Sequence, residues 1–375
     1  MARFFLALCL ILGMGYVYLG ARLAGQSWGW ALLAVPFLFV WLLPVLYWRR
    51  GRQAARVSDQ ALQIASYVAM AVLSFLLVLS LLRDLLLAGL MAAGSAALPI
   101  VQGPAGAYAV VGLALFLTAL GMLEALTGPR LKEVEVKVKD LPEALQGLRI
   151  AQISDLHVGP TIGERYVRRV VRRTNALSPD AVMLTGDIID GPLSRHTHMV
   201  EPMAALTPAG RVYFVTGNHE YYWDAPAWLV RFRELGWDVL ANSSASFTKD
   251  GAEVFVGGIV DPAERSRANG LGPDVQAAAR GANGAALKIL LAHQPQAAGE
   301  AEAAGFHLQL SGHTHGGQFF PWTLVVRYFH RHYHGLSRAG RMWVYVSPGT
   351  GTWGPPVRLG TRPEVTLIRF VRATA

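Results

Sequence analysis

The sequence predicts a multi-span α-helical membrane domain followed by a water-soluble α/β domain, and three observations carry the prediction. Hydrophobic residues make up 53% of the 375 residues and charged residues 16%, against about 25% charged in ordinary soluble domains. The imbalance is uneven, because charge is sparse before about residue 127 and the remainder has the composition of a globular protein. From residue 130 onward, short buried-strand patterns alternate with helical ones. The expected division is a helical membrane domain over residues 1–127, a linker and first strand over 128–147, and a folded domain over 148–375.

The membrane half holds four apolar runs: Phe4 to Leu19, Trp28 to Trp48, Ile64 to Leu82 and Ala105 to Leu126. About 20 apolar residues cross the hydrocarbon core as a helix. Trp28, Trp30, Trp41, Tyr47 and Trp48 gather near the ends of the second run, where interfacial aromatics belong. The first run has the length of a signal peptide, but a second full-length span follows directly, which favours a retained helix. Arg83-Asp84 is too short to turn a hairpin, so Leu85 to Met91 extends the third span or lies at the interface; a fifth crossing is the alternative. Arg49, Arg50, Arg52 and Arg56 mark the loop after the second span as cytoplasmic by the positive-inside rule. Four spans then place both termini, and the soluble domain, on the cytoplasmic side of the cell (inner) membrane, in agreement with Arg130, Lys132, Lys137 and Lys139. The net charge of +9 and pI near 9.8 are read as this topology and as attraction to anionic headgroups, rather than as nucleic-acid binding. A single cysteine, Cys9, rules out a disulfide or a Cys-based zinc site within one chain.

In the soluble half, Val134 to Val138 alternates as a half-buried strand does. The apolar run Leu148 to Ile153 ends in Ser154-Asp155, and a helical pattern from Glu164 to Leu177 follows. Ala181 to Leu184 ends in Thr185-Gly186-Asp187. Helical residues around His198 to Leu206 lead to Val212 to Val215, which ends in Thr216-Gly217-Asn218-His219-Glu220. Further strands are expected at Val239 to Phe247, Glu253 to Ile259, Lys288 to Leu291 (before Ala292-His293), Phe306 to Leu310 (before Ser311 to Gln318), Met342 to Val346 and Val365 to Phe370. This order suits a two-sheet α/β sandwich. Ligands in open α/β sheets bind beyond the carboxyl ends of the strands, so these polar strand ends are expected to converge.

Together they supply Asp155, His157, Asp187, Asn218, His219, His293, His313 and His315, a set of oxygen and imidazole donors without a thiol. Such donors suit manganese, iron(II) or zinc, and seven ligands suit two ions sharing a carboxylate better than one. Glycines at 186, 217, 312, 316 and 317 permit the close backbone turns this requires. Each piece alone says little, since an isolated His is usually a surface or core group and Gly-Asp usually a turn. Five short motifs, each directly after a buried strand, are a different matter.

Asp-x-His, Gly-Asp-x-x-Asp, Gly-Asn-His-Glu, a solitary His and Gly-His-x-His resemble the signature of the calcineurin-like metallophosphoesterase superfamily, over roughly Leu148 to Val371. The Gly-His-Thr-His-Gly-Gly-Gln form and Gly-Thr-Trp-Gly-Pro-Pro at 351–356 are similar to its bacterial membrane-associated branch, and to transmembrane proteins with a metallophosphoesterase domain. The resemblance implies a four-layer α/β/β/α sandwich and two divalent metal ions, Mn favoured over Fe or Zn. Asp155, His157 and His315 would hold the first, Asn218, His293 and His313 the second, with Asp187 bridging. It implies hydrolysis of a phosphodiester or pyrophosphate by attack of a metal-bridging hydroxide, on a substrate that in some relatives is a lipid-linked pyrophosphate. Paired cations lower the pKa of a shared water and clamp the phosphoryl oxygens. His219, beside Asn218, is placed to protonate the leaving oxygen, and Asp190, three residues after Asp187, to orient that ring. Glu220 is expected to steady a ligand rather than react.

Two segments stay open. The helix from Glu164 to Leu177 carries Arg165, Arg168, Arg169, Arg172 and Arg173, a solvated face or a contact for anionic lipid. Phe319 to His334 mixes Trp322, Tyr328, Phe329 and Tyr333 with Arg327, His330, Arg331, His332 and His334; it reads as a packed connection, with a cap over the site or a membrane contact as alternatives. Its three histidines are surplus to the metal set. The competing classes are a non-catalytic metal-bound sensor in a membrane assembly, a transporter regulated by its soluble half, and a nuclease. The first has no use for a leaving-group acid, the second lacks charged midspan residues beyond Arg83, Asp84 and Glu124, and the third lacks an aromatic-basic groove.

Overall fold

The computed structural model describes residues 2–25, 27–50, 57–266 and 270–373. The chain falls into two compact units, Met1–Leu123 with Gly354–Val357, and Glu124–Trp353 with Arg358–Ala375.

The first unit is helical: α1 (Ala2–Leu19), α2 (Ser27–Arg50), α3 (Val57–Ala92), the short α4 (Leu98–Gln102), and α5 (Pro104–Leu126), whose last turn belongs to the second unit. Among the described residues, four stretches are long and apolar enough to cross a bilayer: Leu6–Ala24, Ser27–Pro44, Asp59–Ala92 and Pro104–Leu126. The protein is a multi-pass membrane protein. Helix α3 runs unbroken through Arg83-Asp84 for 36 residues, about 54 Å at 1.5 Å per residue, so Leu85 to Met91 extend the third span. The two charges are satisfied inside the unit. Asp84 accepts from the Tyr18 hydroxyl at 2.8 Å and pairs with Arg22 at 2.9 Å, while Arg83 donates to the carbonyls of Arg22, Val101 and Gln102. Buried charge in an apolar medium needs such partners. Of the residues used for orientation, Arg52 and Arg56 lie outside the described residues, as do the side chains of Tyr47, Trp48, Arg49 and Arg50.

The second unit contains β1 (Arg130–Val138), β2 (Arg149–Ile153), α6 (Glu164–Ala176), β3 (Ala181–Thr185), α7 (Leu193–Val200), β4 (Val212–Val215), α8 (Asn218–Tyr222), α9 (Ala225–Glu234) and β5 (Asp238–Val239). It continues with β6 (Ser243–Lys249), β7 (Ala252–Gly258), α10 (Val275–Ala278), β8 (Leu287–Leu291), α11 (Ala298–Ala303), β9 (Leu308–Ser311), α12 (Trp322–Phe329), β10 (Gly335–Ala339), β11 (Met342–Val346) and β12 (Glu364–Arg372). One six-stranded sheet has the order β1-β12-β2-β3-β4-β5 and the other β10-β11-β9-β8-β7-β6. The central strands β2, β3 and β4 are mutually parallel, as are β7, β8, β9 and β11. Such strands, covered on both faces, read as continuous apolar runs.

Between the sheets lies one core built from both, including Ile150, Met183, Val215, Val256, Ile289, Leu310, Tyr345 and Ile368. Alanines of α10 and α11 cover the outside of the second sheet against Leu290, Val344 and Val346. On the outside of the first, Phe232 of α9 packs on Phe214 of β4 with ring centroids 4.8 Å apart. The result is a four-layer α/β/β/α sandwich.

The structure corrects three local expectations. Val239 to Phe247 is not one strand: β5 and β6 belong to different sheets, and the chain crosses between them at Asn242. Asn242 takes φ 53°, and its Oδ1 accepts from the backbone of Val260 and Asp274. The polar turn chemistry of that residue thus ends the apolar run Val239-Leu240-Ala241 and lets the next strand start in the other sheet. The helix placed at His198 to Leu206 starts earlier, at Leu193, and becomes a 3₁₀ turn from Glu201, where Pro202 follows. The segment from Phe319 to His334 is no packed connection, because it contains α12, a helix without a single buried side chain. In α6, Arg169 donates to the carbonyls of Leu126 and Thr127, Arg173 to that of Pro129, and Arg168 pairs with Glu164. Those three arginines serve the protein's own backbone and carboxylate.

Candidate metal centre

Strands β2, β3 and β4 of one sheet and β8 and β9 of the other all end at the same edge of the sandwich, and the seven ligand candidates leave from those ends. Asp155, His157, Asp187, His293 and His315 are buried, and Asn218 and His313 half-buried. Five of them take left-handed backbone: Asp155 (φ 51°), His157 (52°), Asp187 (53°), His313 (70°) and His315 (51°). Non-glycine residues adopt that region at a cost and concentrate where side chains must be aimed. Two glycines make room. A Cβ on Gly217 would lie 2.2 Å from Asp187 Oδ1, and one on Gly312 would lie 2.0 Å from Asp155 Oδ2.

Three overlapping groups each bring their donor atoms within 4.8 Å: Asp155, His157 and His315; His157, Asp187 and His219; and Asp187, His293 and His313. The Nε2 atoms of His157 and His315 are 3.0 Å apart, and His315 Nε2 is 3.5 Å from Asp155 Oδ1. Asp187 Oδ2 lies 3.8 Å from His157 Nε2 and 3.2 Å from His293 Nε2, so it stands between the two sides. Asn218 Oδ1 is 3.1 Å from His313 Nδ1. Proximity alone does not separate His219 from the ligands, since it joins the middle group.

Whether this set suits cations is decided at His293. Its Nδ1 lies 2.8 Å from the Thr185 carbonyl, which can only accept. That contact puts the proton on Nδ1 and leaves a lone pair on Nε2, which has no hydrogen-bond partner and faces the Asp187 carboxylate. Nε2 facing a carboxylate calls for a positive charge between them, which a proton supplies in the bare chain and a metal ion can replace. In the bare chain burial opposes a charge on His293, but Asp187 outweighs it and holds its pKa well above the usual value. Burial likewise works against charge on Asp187, yet His293 and His219 pull its pKa well below the carboxylate range. Three further ligand imidazoles favour the neutral form: burial pushes His157 and His313 down to about 3 and His315 well below its ordinary value. Neutral imidazoles and carboxylates are the forms that bind metal. Two nitrogens each about 2.1 Å from one ion at a right angle are about 3 Å apart, the spacing His157 and His315 have. The residues fit a pair of divalent cations.

Around this set lies a second layer of contacts. Asp155 accepts from the Ser154 hydroxyl and from the His313 backbone N–H. Glu220, fully buried, accepts from the backbone of Gly217 (2.7 Å), Asp187 (3.0 Å) and Ile188 (2.9 Å), tying two ligand loops together. His219 Nδ1 lies 3.0 Å from Asp190 Oδ1, which also accepts from the Trp223 indole at 2.9 Å. Burial opposes charge on His219, but Asp187 and Asp190 prevail and push its pKa up to about 9.

Four side chains escaped the sequence reading. Arg358, fully buried, donates to the carbonyls of His315 and Gly351; nothing in Val357-Arg358-Leu359 announces it. Tyr222 and Trp353 flank the His219 ring, with centroids 5.1 Å and 5.8 Å away, and both are largely exposed. Gln318, the last residue of the Gly-Gly-Gln run, holds Trp353 through both its backbone N–H and its carbonyl, each at 2.9 Å. A signal existed in the Gly-Thr-Trp-Gly-Pro-Pro stretch, but sequence gives no way to see that it faces position 219.

Residues 148–317 match the calcineurin-like phosphoesterase family. A transmembrane protein with metallophosphoesterase domain from Danio rerio is 39% identical over 280 residues, 72% of this chain and 64% of that protein. One of the same description from Bos taurus is 37% identical, over 67% of this chain and 59% of that protein. An uncharacterized metallophosphoesterase from Aquifex aeolicus is 30% identical, over 64% of this chain and 90% of its own length. The chain thus spans less than two thirds of the two animal proteins.

Proposed function

The chain belongs to the calcineurin-like phosphoesterases, and on that premise we propose that it is a membrane-anchored phosphohydrolase that cleaves a phosphodiester or pyrophosphate bond with two divalent cations, manganese favoured. Residues 1–127 serve as the anchor and 148–375 as the catalytic domain, joined through the linker and first strand of 128–147. The positive-inside rule, applied to the arginines after the second span, supports a cytoplasmic catalytic domain on the inner membrane.

Asp155, His157 and His315 would hold one cation and Asn218, His293 and His313 the other, with Asp187 available to both. When bound, the cations supply Lewis acidity to the phosphoryl group and a more acidic water for the attack. The chain's own residues do the rest. Asp190 fixes the His219 ring through Nδ1, so Nε2 holds the proton that the leaving oxygen needs. Tyr222 and Trp353 wall that side of the site and receive the departing group. Glu220 and Arg358 keep the ligand loops in place by their backbone bonds. The observation that carries the reading is the convergence of Asp155, His157, Asp187, His293, His313 and His315, whose donor atoms lie within 4.8 Å of one another in overlapping groups joined at His157 and Asp187. The His219–Asp190 pair argues against a pure sensor, which has no leaving group to protonate.

The test is hydrolysis of bis(p-nitrophenyl) phosphate by the purified full chain with manganese. Asp187→Ala and His219→Ala are each expected to abolish it. Turnover by both variants at the wild-type rate would overturn the assignment.

A further inference from the structure

Residues 319–334 contain no Asp or Glu, yet they carry Arg327, Arg331 and six aromatic side chains. Within them α12 is eight residues long with none buried. Leu324 is 49% exposed, and Tyr328 and Phe329 are each 76% exposed. A helix this short is not stable by itself in water, and an exposed aromatic-aliphatic face of this kind marks a contact surface. Arg327 lies over the Tyr328 ring, 5.0 Å from its centroid, so cation and ring are presented side by side.

We propose that α12 is an interfacial helix that docks on the surface of an anionic bilayer and sets the metal centre at headgroup depth, so that the substrate is a phosphoester or pyrophosphate of a membrane-resident lipid. This rests on the phosphohydrolase reading and narrows it. Two facts select a bilayer as the occupant. The chain is already held in a membrane by four spans, which makes the bilayer the surface nearest at hand. The segment also offers positive charge and aromatic rings with no acid of its own, Glu302 of α11 lining the groove beside Phe329 and Arg331, and that composition suits anionic headgroups.

The helix is fastened to the site at both ends. At its start, Gly317 backs directly onto it: a Cβ there would lie 2.3 Å from the Trp322 carbonyl oxygen, and Gly317 is two residues from His315. Beyond its end, Thr314 Oγ1 donates to the Tyr333 carbonyl at 2.6 Å. The His330 ring meets that of His313 edge-on at 6.0 Å. The depth at which α12 sits therefore sets the depth of the ligand loop.

The experiment uses the full chain in proteoliposomes of phosphatidylcholine and phosphatidylglycerol at about 7:3. On a Cys9→Ser background, cysteines at Tyr328 and Phe329 carry an environment-sensitive fluorophore, with Val230 on α9, also exposed, as the control. Spin-labelled lipid is expected to quench the first two several-fold more than the control. The double variant Tyr328→Asp with Phe329→Asp is expected to slow hydrolysis of a vesicle-borne lipid phosphodiester at least about tenfold, leaving soluble bis(p-nitrophenyl) phosphate untouched. Quenching no greater than at the control, equal slowing on both substrates, or disulfide-linked dimers through Tyr328→Cys without quenching would each overturn the proposal, the last in favour of a second copy of the chain. A wild-type protein inert on both substrates would instead overturn the phosphohydrolase reading, and the quenching would still report on the helix.

Discussion

Replacing Glu220 by Gln separates support from chemistry at the metal centre. The carboxylate spreads four backbone N–H groups over its two oxygens: Gly217 and Asp187 on Oε2, Ile188 and, at 3.4 Å, Ile189 on Oε1. An amide keeps one oxygen, and its NH2 must face donors on the other side. The better orientation keeps the Gly217 and Asp187 bonds and orphans the Ile188 N–H, with the longer Ile189 contact, at about 1–3 kcal/mol for a buried unsatisfied donor. The two surviving bonds lose their charge assistance, about another 1 kcal/mol together. Against this, burial and the neighbouring Asp187 raise the Glu220 pKa to about 7, so removing its charge returns part of the loss. The net expectation is a destabilisation of ~3 kcal/mol, or about 6–12 °C in Tm for a domain of this size. Differential scanning fluorimetry of the manganese-loaded full chain reads it, with Glu220→Ala, which orphans all four donors, falling further. A Glu220→Gln protein melting within about 2 °C of wild type would refute the argument, since strapping by backbone bonds then contributes nothing measurable.

Asp190→Asn keeps the shape but weakens the hold on His219, and kcat should fall about 10–100-fold with metal content by mass spectrometry unchanged. Chelation should lower the Tm of the soluble domain, because saturating ions at 100 times their Kd add about 2.7 kcal/mol to the folded state; a melting curve with and without EDTA checks it. Gly312→Ala should lose metal by the same mass measurement although it removes no ligand, because its methyl would occupy the space of Asp155 Oδ2 and Ser154 Oγ.

Much of this architecture was readable in advance, for local reasons. Helix α6 and strands β2, β3, β8 and β11 lie where periodicity placed them, since each is a continuous apolar or amphipathic run. The seven ligand candidates were nameable because each sits within five residues of the end of a buried strand, and parallel strands bring their ends to one edge. The break at Asn242 was not readable, because one residue's hydrogen bonds to positions 260 and 274 decided it. Nor was the exposure of α12, as aromatic composition is the same in a core and on a surface.

The sequence by itself determined the membrane spans, the layered α/β class and the chemistry of the donor set, all of which depend on residues near one another along the chain. Only the tertiary structure decided which groups hold that set in place and surround it. Arg358 reaches His315 across 43 positions, the Asp155 carboxylate reaches the His313 backbone across 158, and Trp353 meets His219 over a gap no periodicity spans. Such contacts form because two sheets pack face to face, and packing between distant segments leaves no trace in the local pattern of either.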